Sequence, residues 1–394
     1  MKEIRDVVIT SAVRTPVGAF MGSLSTVPAT KLGSIVIEQA IQRANIEPGD
    51  VNEVIMGNVL PAGEGQAPAR QAALGAGLPK RTECLTINKV CGSGLKSVML
   101  ATQAIQVGDA DIIVAGGMES MSNVPYYLPK ARTGYRMGNQ EAVDGMVYDG
   151  LWDVYNDFHM GNAAELCARE NNISREEQDA FAKLSYERAI DAQKKGRFKD
   201  EIVPVSVPQR KGDAVMVDED EEPKRVNFEK MPKLRPAFDK DGTVTAANAS
   251  KINDGASALV VMAADVARER SIPVLARVIA QSSAAKEPEW FTTAPIDAIN
   301  KVLKKSGRSL ENIDLFEINE AFSVVTLIAQ KELNIPAEKI NVNGGAVALG
   351  HPIGASGARI LTTLLYAMQQ RNLKTGLATL CIGGGEASAL IVER

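Results

Sequence analysis

The cysteine at position 91 stands in a local sequence that favours nucleophilic chemistry. It follows a short apolar, strand-like pattern and precedes Gly92-Ser93-Gly94, after which apolar residues recur at helical spacing as far as Gly108. The pattern predicts a helix that begins near Cys91, where unpaired backbone N–H groups and the positive end of the helix dipole favour a thiolate. From this pattern alone two interpretations remain equally open: a nucleophile, or a small buried cysteine that only packs.

Two further residues could share this chemistry. A glycine-dense segment, residues 343–357, surrounds His351, one of two histidines in the chain, and such a loop would hold the imidazole rigidly for acid–base work. Cys381 lies between apolar residues and precedes three glycines that begin at Gly383, whose backbone N–H groups are suited to an oxyanion hole. The alternatives are a structural loop histidine and a buried strand cysteine, and for Cys381 considered alone the second is favoured.

Composition limits the class of protein. The chain has 394 residues, of which 45% are apolar and 23% charged, the balance of a globular protein with two or three domains or one large one. The 44 basic and 48 acidic residues leave a net charge of −4, which argues against a dedicated nucleic-acid binder.

The cysteines and the ends of the chain suggest a compartment. Four cysteines without a C-x-x-C pair and only two histidines argue against a disulfide framework and against a zinc cluster. Neither a secretory signal nor a run of about 18 apolar residues is visible, and the last residues are not a peroxisomal tripeptide. We therefore expect no membrane segment, and a soluble protein of a reducing compartment, the cytoplasm.

The elements that must position these residues form an α/β pattern, because short apolar runs alternate with helical patterns. The sequence also contains an internal repeat. The paired segments are, in chain order, 41–57 with 303–319, 88–94 with 354–357, and 112–117 with 380–385. Any two α/β halves share some similarity by chance, but the common order favours two similar halves.

Between the repeats lies a more polar segment, which we interpret as an inserted loop or lid domain. It contains a polar helix from about Ser174 to Lys195, which begins with a Ser174–Glu177 capping box. We interpret the acidic run at 218–222 as a solvated loop. The expected divisions are 1–120, continued by about 248–270, as the first half, 121–247 as the insertion, and 271–394 as the second half.

Four motifs together resemble the thiolase family over nearly the whole chain. They are Asn88–Gly94 with its Cys91, Asn319-Glu320-Ala321-Phe322, Gly350-His351-Pro352, and Cys381 with the glycines that follow it. Any one of these is weak, whereas four in the right order and at suitable spacing are specific. The resemblance implies the thiolase fold: α/β, with two similar halves in a layered αβαβα arrangement and an inserted loop domain.

The resemblance also implies a reversible Claisen condensation, in which two acetyl-CoA give acetoacetyl-CoA and CoA through an acetyl-cysteine. It makes Cys91 the nucleophile, His351 the acceptor of its proton, and Cys381 the base that removes the α-proton of the second acetyl-CoA. One oxyanion hole is expected from His351 with a water held by Asn319, and the other from the backbone N–H groups of Cys91 and Gly383. Such chemistry needs CoA thioesters as substrates, but no metal and no cofactor.

Further residues are expected to bind the substrate. His159-Met160 resembles a motif that lines the acyl and pantetheine site of short-chain thiolases, the alternative being an ordinary core helix. By the same resemblance Ser250 contacts CoA, and Phe322 belongs with the binding residues.

Positive charge for the CoA phosphates is expected from Lys224 or Arg225, although loop lysines are usually just solvated. The chain departs from the family's usual residues at four positions: Ala247, Lys251, Glu386 and Ala387. These departures spare the expected catalytic residues, but they put the substrate range and turnover in question.

Three other functions compete with this one. A degradative 3-ketoacyl-CoA thiolase for longer chains is the nearest, and Met160 beside His159 favours short chains instead. A thiolase-like CoA-binding module without chemistry would be free to lose Cys91, His351 and Cys381, and this chain has all three. An NAD-dependent dehydrogenase needs G-x-G-x-x-G after an early strand, which residues 10–16 lack. The expected partners are other copies of the chain, in a homotetramer joined through the insertion, and neither nucleic acid nor membrane.

Overall fold

The computed structural model describes residues 4–394. Its α-helices are α1 (Ala29–Arg43), α2 (Pro68–Gly75), α3 (Ser93–Val107), α4 (Gly145–Gly150), α5 (Met160–Glu170), α6 (Arg175–Lys194), α7 (Ala264–Glu269), α8 (Ala294–Ser306), α9 (Ser323–Leu333), α10 (Ala346–Leu349) and α11 (Ser356–Gln370). Its strands are β1 (Val7–Arg14), β2 (Gly18–Ala19), β3 (Glu53–Gly57), β4 (Glu83–Ile87), β5 (Ile112–Ser120), β6 (Tyr126–Tyr127), β7 (Val143–Asp144), β8 (Trp152–Asp153), β9 (Phe158–His159), β10 (Val205–Val207), β11 (Val215–Val217), β12 (Asn253–Ala263), β13 (Ala276–Ala285), β14 (Leu315–Ile318), β15 (Thr375–Ile382) and β16 (Glu386–Glu393).

The main sheet contains the same strand arrangement twice. Within residues 4–394 its order is β14-β15-β16-β13-β1-β12-β5-β3-β4, with β2 paired to β12. In the first half β3 runs parallel to β5, and β12 lies antiparallel between β5 and β1. In the second half β14 runs parallel to β15, and β16 lies antiparallel between β15 and β13. The expected pair of similar α/β halves is therefore confirmed.

The helices form the three α-layers of an αβαβα arrangement. Helices α3 and α11 pack against each other and lie in the middle, where both contact the strands of the sheet. Helices α1 and α2 cover the outer face of the first half, and α8 covers that of the second. Strands β1, β5 and β12 are buried along their whole length, including polar residues such as Arg14, Glu119 and Asn253.

The segment between β5 and β12 contributes α4, α5, α6 and three two-stranded ribbons. Helix α6 begins with the expected capping box, in which Ser174 Oγ accepts from the Glu177 N–H and the Glu177 carboxylate accepts from the Ser174 N–H. Helices α5 and α6 pack on α9 and α10 of the second half, so the inserted segment borders the site described below. Within residues 4–394, no helix combines the length and the apolar character that a bilayer crossing requires.

The acidic run at 218–222 is a solvated loop only in part: Asp218 and Glu219 are exposed, whereas Asp220 and Glu222 are buried, so that interpretation is wrong for the latter two. Asp220 is fully buried and accepts hydrogen bonds of 2.6 and 2.9 Å from the guanidinium of Arg14, which is itself fully buried. Glu201 accepts from the same guanidinium at 2.6 Å, and Glu222 is also buried. An acidic residue tolerates such burial when a cation pairs with it, and the sequence pattern of the run alone did not reveal that partner.

Candidate active site

Cys91 lies in a strained turn between β4 and α3. The preceding residue, Val90, has a φ of +44°, a left-handed conformation that costs a β-branched residue about 1–3 kcal/mol. Side chains stabilise the turn: Asn88 Oδ1 accepts from the Val90 N–H at 2.9 Å, and Ser93 Oγ accepts from the Lys89 N–H at 2.8 Å. The structure therefore places Cys91 just before α3, as the sequence predicts.

The pKa of Cys91 differs from the expectation. A helix start predicts a lowered pKa, but burial raises the pKa of the Cys91 thiol to about 11. The backbone N–H groups of Gly383 and of Cys91 itself act in the opposite direction on the sulfur and only reduce this rise. The expected downward shift of the Cys91 pKa is therefore wrong: the sulfur rests as a neutral thiol and needs a base to become a nucleophile, the role that the resemblance gives to His351.

The backbone of His351 is fixed by a hydrogen bond to a side chain of β12. The His351 N–H donates to Asn253 Oδ1 at 2.8 Å. Gly350 precedes it with a φ of +108°, and a Cβ at that position would lie 2.5 Å from the Asn253 side chain. Only glycine fits this conformation and this close approach, which accounts for the glycine before the histidine.

The tautomer of His351 follows from its neighbours. Nδ1 lies 2.6 Å from Ser356 Oγ, and that hydroxyl donates its hydrogen to the Pro352 carbonyl at 2.8 Å. The hydroxyl must therefore accept from Nδ1–H, which leaves the lone pair on Nε2. Nε2 is buried and has no hydrogen-bond partner among the described residues. Burial, assisted by the charge of Arg359, lowers the His351 pKa to about 3, so the imidazole is neutral.

Cys381 and Asn319 lie at the ends of neighbouring strands, β15 and β14. Cys381 is fully buried, and its pKa is raised well above the usual value by burial and then by the charge of Cys91, whose sulfur is close enough to interact with it. Asn319 is 1% exposed, and within residues 4–394 neither atom of its side-chain amide has a hydrogen-bond partner. A buried amide left in this state normally holds an ordered water.

A cavity of about 250 Å³ brings most of the expected site residues together. Those that line it are Cys91, His351, Gly383, His159, Met160, Ser250 and Phe322. Its wall is mostly apolar and includes an aromatic cluster: the His159 ring stacks on Phe238 with centroids 4.7 Å apart, and Phe238 meets Phe322 edge-on at 6.2 Å. Cys381 and Asn319 are not among the described residues that line this cavity.

His159 and Met160 begin helix α5. His159 caps the helix, because its Nδ1 accepts from the Gly161 N–H at 3.0 Å, and burial lowers its pKa. Both residues face the cavity, so of the two sequence interpretations the structure favours the pocket motif over an ordinary core helix.

Lys224 and Arg225 lie apart from this group. They belong to a short 3-10 helix, Glu222–Arg225, in which Lys224 forms an ion pair with Glu219 and Arg225 with Glu221. Neither is among the described residues that line the cavity. Their contact with CoA phosphates stays a prediction.

Sequence reasoning missed several supporting residues. Ser356 and Asn253 orient His351, and Phe238 forms part of the cavity wall. Buried Glu119 accepts from the Val59, Leu60 and Gly354 N–H groups and so ties the loop after His351 to β5. Only Ser356 carried a signal, since it opens a helix five residues after the histidine.

Comparison with known proteins identifies the class that this fold and site define. The model of the thiolase N-terminal domain matches residues 7–265, and that of the thiolase C-terminal domain matches residues 272–394. The chain therefore belongs to the thiolase family, a family of acyltransferases.

Individual relatives agree over the full length. The chain is 56% identical over 391 residues to acetyl-CoA acetyltransferase 2 of Arabidopsis thaliana, covering 99% of this chain and 97% of the relative. It superposes on the crystal structure of the Bacillus anthracis acetyl-CoA acetyltransferase with a TM-score of 0.98 and 42% identity, covering both chains completely. A thiolase from Ascaris suum, crystallised with coenzyme A, has a TM-score of 0.94 and 46% identity, covering 99% and 100% of the two chains.

Proposed function

We propose that this chain is an acetyl-CoA C-acetyltransferase, which condenses two acetyl-CoA to acetoacetyl-CoA and CoA in a reversible reaction. The observation that carries the proposal is that the Cys91 thiol lies in one mostly apolar cavity with His351, whose Nε2 has no partner among the described residues, and with the N–H of Gly383. The names of full-length relatives at more than 50% identity support the same reaction.

The first half-reaction transfers an acetyl group to Cys91. Nε2 of His351 takes the thiol proton as the sulfur attacks the thioester carbonyl, because neither group carries charge at rest. The oxyanion that forms lies against the N–H groups of Cys91 and Gly383, and such donors are commonly worth about 3 kcal/mol each. The departing CoA sulfur takes the proton of Cys381, which leaves a Cys381 thiolate near a His351 imidazolium.

The second half-reaction forms the carbon–carbon bond. The Cys381 thiolate removes a proton from the methyl group of a second acetyl-CoA, and the enolate oxygen is stabilised by Nε2–H of His351 and by a water on Asn319. The enolate carbon attacks the acetyl-Cys91 carbonyl, acetoacetyl-CoA departs, and Cys91 recovers its proton from His351. Every step is a proton or acyl transfer, so we expect no metal and no redox cofactor.

The wall of the cavity supports a short acyl chain. Met160, Phe238 and Phe322 all line the cavity, and we expect these bulky side chains to leave room for a short acyl chain and not for a long one. The second candidate, a degradative thiolase for long chains, predicts the opposite preference. Relative kcat/KM on acetoacetyl-CoA and 3-ketohexadecanoyl-CoA decides between them, and a strong preference for the long substrate would overturn our choice.

Mass measurement after incubation with acetyl-CoA tests the covalent step. An acetyl mass should appear on the Cys91 peptide, Cys91→Ser should abolish it, and product analysis should find acetoacetyl-CoA. Cys84→Ser is the matched control, because that half-buried cysteine on β4 contacts the Thr82 carbonyl instead of the cavity and should leave the label intact. A label that persists in Cys91→Ser would refute the proposal.

The remaining parts of the proposal concern binding and assembly. Ser250 lines the cavity and is placed to contact the pantetheine arm of CoA, whereas Lys224 or Arg225 supplies positive charge for its phosphates. We place the enzyme in the cytoplasm and in lipid metabolism, where a reducing medium keeps both reactive cysteines as thiols.

We also propose a homotetramer, a dimer of dimers. β4 is an edge strand of the sheet and leaves Leu85 41% exposed, a surface that a second copy can cover. The inserted segment exposes further large apolar side chains, with Tyr126 at 65% and Tyr155 at 73%, which suits a second interface between dimers. Light scattering during size-exclusion chromatography measures the assembly, and a monomer would overturn this part.

A further inference from the structure

Lys251 makes contacts in the structure that the sequence did not reveal. Its side chain is half-buried and lines the cavity, directly after Ser250. The ammonium donates to the Ala249 carbonyl at 2.8 Å and to the Val347 carbonyl at 3.2 Å, and it lies 5.5 Å from the centre of the Tyr186 ring. Two carbonyl oxygens and an aromatic face are the surroundings of a bound cation.

Acidic groups complete these surroundings from two sides. Glu222, on the 3-10 helix, and Glu320, just after β14, both act electrostatically on the ammonium, and Arg225 acts in turn on Glu222. Burial lowers the pKa of Lys251 to about 8, and the two carboxylates oppose this fall. The amine therefore carries its charge at neutral pH although its side chain is half-buried.

Hydrogen bonds connect these acids to the catalytic elements. Asn253 Nδ2 approaches Glu222 Oε1 at 3.4 Å, while the Oδ1 of the same asparagine accepts from the His351 N–H. Glu320 accepts from the Val347 N–H at 3.1 Å, in the short helix α10 that leads to the histidine. The ammonium thus lies between the wall that carries Ser250 and the loop that carries His351.

We propose that Lys251 is a positioning residue whose ammonium serves as a built-in cation, joining the Ser250 loop to the α10 turn so that both face acyl-CoA in the correct relation. The inference deepens the proposed function and rests on it for its kinetic part. Removing the side chain leaves two carbonyl oxygens, a ring face and two carboxylates around an empty space. We expect that space to accept methylammonium, whose N–H groups can bond to the two carbonyl oxygens, and to reject tetramethylammonium, which has no N–H group.

The kinetic test compares Lys251→Ala with the native enzyme. Because charge-assisted hydrogen bonds on the binding wall are lost, we expect KM for acetyl-CoA to rise about tenfold, with a smaller change in kcat. Methylammonium chloride should restore KM, whereas tetramethylammonium chloride at equal ionic strength should not. Lys31→Ala, which removes an exposed lysine of α1, is the matched control and should respond to neither salt.

A second readout does not depend on the reaction. The melting temperature of Lys251→Ala should rise with methylammonium and stay constant with tetramethylammonium, even if the chain proved to catalyse another reaction. Lys251→Met keeps the apolar stem without the charge, so it should show the raised KM without rescue, because its side chain fills the space. A native KM in Lys251→Met, or equal responses to the two salts in Lys251→Ala, would overturn the inference.

Discussion

Ser356→Ala tests whether the tautomer of His351 controls the chemistry. In the native chain the serine hydroxyl accepts from Nδ1–H at 2.6 Å, and its own hydrogen is committed to the Pro352 carbonyl at 2.8 Å. This pair of contacts keeps the lone pair on Nε2, which faces the site. Alanine removes the acceptor, so Nδ1–H is left buried without a partner, or the proton moves to Nε2 and the base is lost.

The magnitude follows from the cost of that unpaired group. A buried donor without a partner costs about 1–3 kcal/mol, and each 1.36 kcal/mol corresponds to a tenfold change in rate. We therefore expect kcat to fall about 10- to 100-fold in both half-reactions. KM should change little, because Ser356 does not line the cavity among the described residues.

The assay separates catalysis from folding. Rapid-quench mass measurement gives the rate of Cys91 acetylation, and the absorbance of acetoacetyl-CoA gives the overall rate. Ser257→Ala is the matched control: it removes an equally buried hydroxyl, which donates to the Val13 carbonyl at 2.8 Å in the middle of β12. It should lose similar stability but retain kcat. A native acetylation rate in Ser356→Ala would refute the tautomer argument.

Three further predictions address the sulfur atoms and the insertion. Cys381→Ala should still acquire an acetyl group on Cys91, with the departing CoA sulfur taking its proton from the His351 imidazolium or from water instead, but it should form no acetoacetyl-CoA; retained condensation would remove Cys381 from the role of base. Because the pKa of Cys91 is raised to about 11, its thiolate fraction grows as pH rises towards that value. Alkylation of the free enzyme by iodoacetamide should therefore accelerate about tenfold per pH unit from neutrality upward, and a plateau near neutral pH would contradict the raised pKa. Asp220→Ala should lower the free energy of unfolding by about 3–5 kcal/mol, because it leaves the Arg14 charge buried with one partner fewer; denaturant unfolding measures this, and a loss below 1 kcal/mol, roughly that of an exposed pair, would contradict it.

Residue type and spacing predicted much of the fold and of the site. The strand-and-glycine repeats anticipated the duplicated sheet, because backbone requirements such as the positive φ of Gly384 and Gly385 are met by glycines that the sequence shows. The motif residues Cys91, His351 and Gly383 do line one cavity. Such features depend on residues that are close together in the chain, so the sequence pattern can show them.

What the sequence did not reveal depends on distant partners. The burial of Asp220 requires Arg14, 206 positions away in the chain. The direction of the Cys91 pKa shift depends on whether burial, which raises the pKa, outweighs the backbone N–H groups, which lower it. Residue spacing indicates the N–H groups but not the burial. The sequence showed Lys251 only as a departure from the family's usual residue, because its contact with Val347 joins residues 96 positions apart.

The duplication itself explains why a thiol and an imidazole meet. Each half contributes one central helix, α3 in the first and α11 in the second: α3 follows β4 through a tight turn, and α11 follows the short helix α10 and the loop that carries His351. They approach so closely that a Cβ on Gly94 would lie 2.7 Å from the Ala358 nitrogen. Cys91 stands just before α3, and His351 stands just before α11, so packing the two helices side by side brings the two turns to one place. The catalytic pair is thus a consequence of the close contact between halves, and widening that contact at Gly94 should separate the pair before it unfolds the sheet.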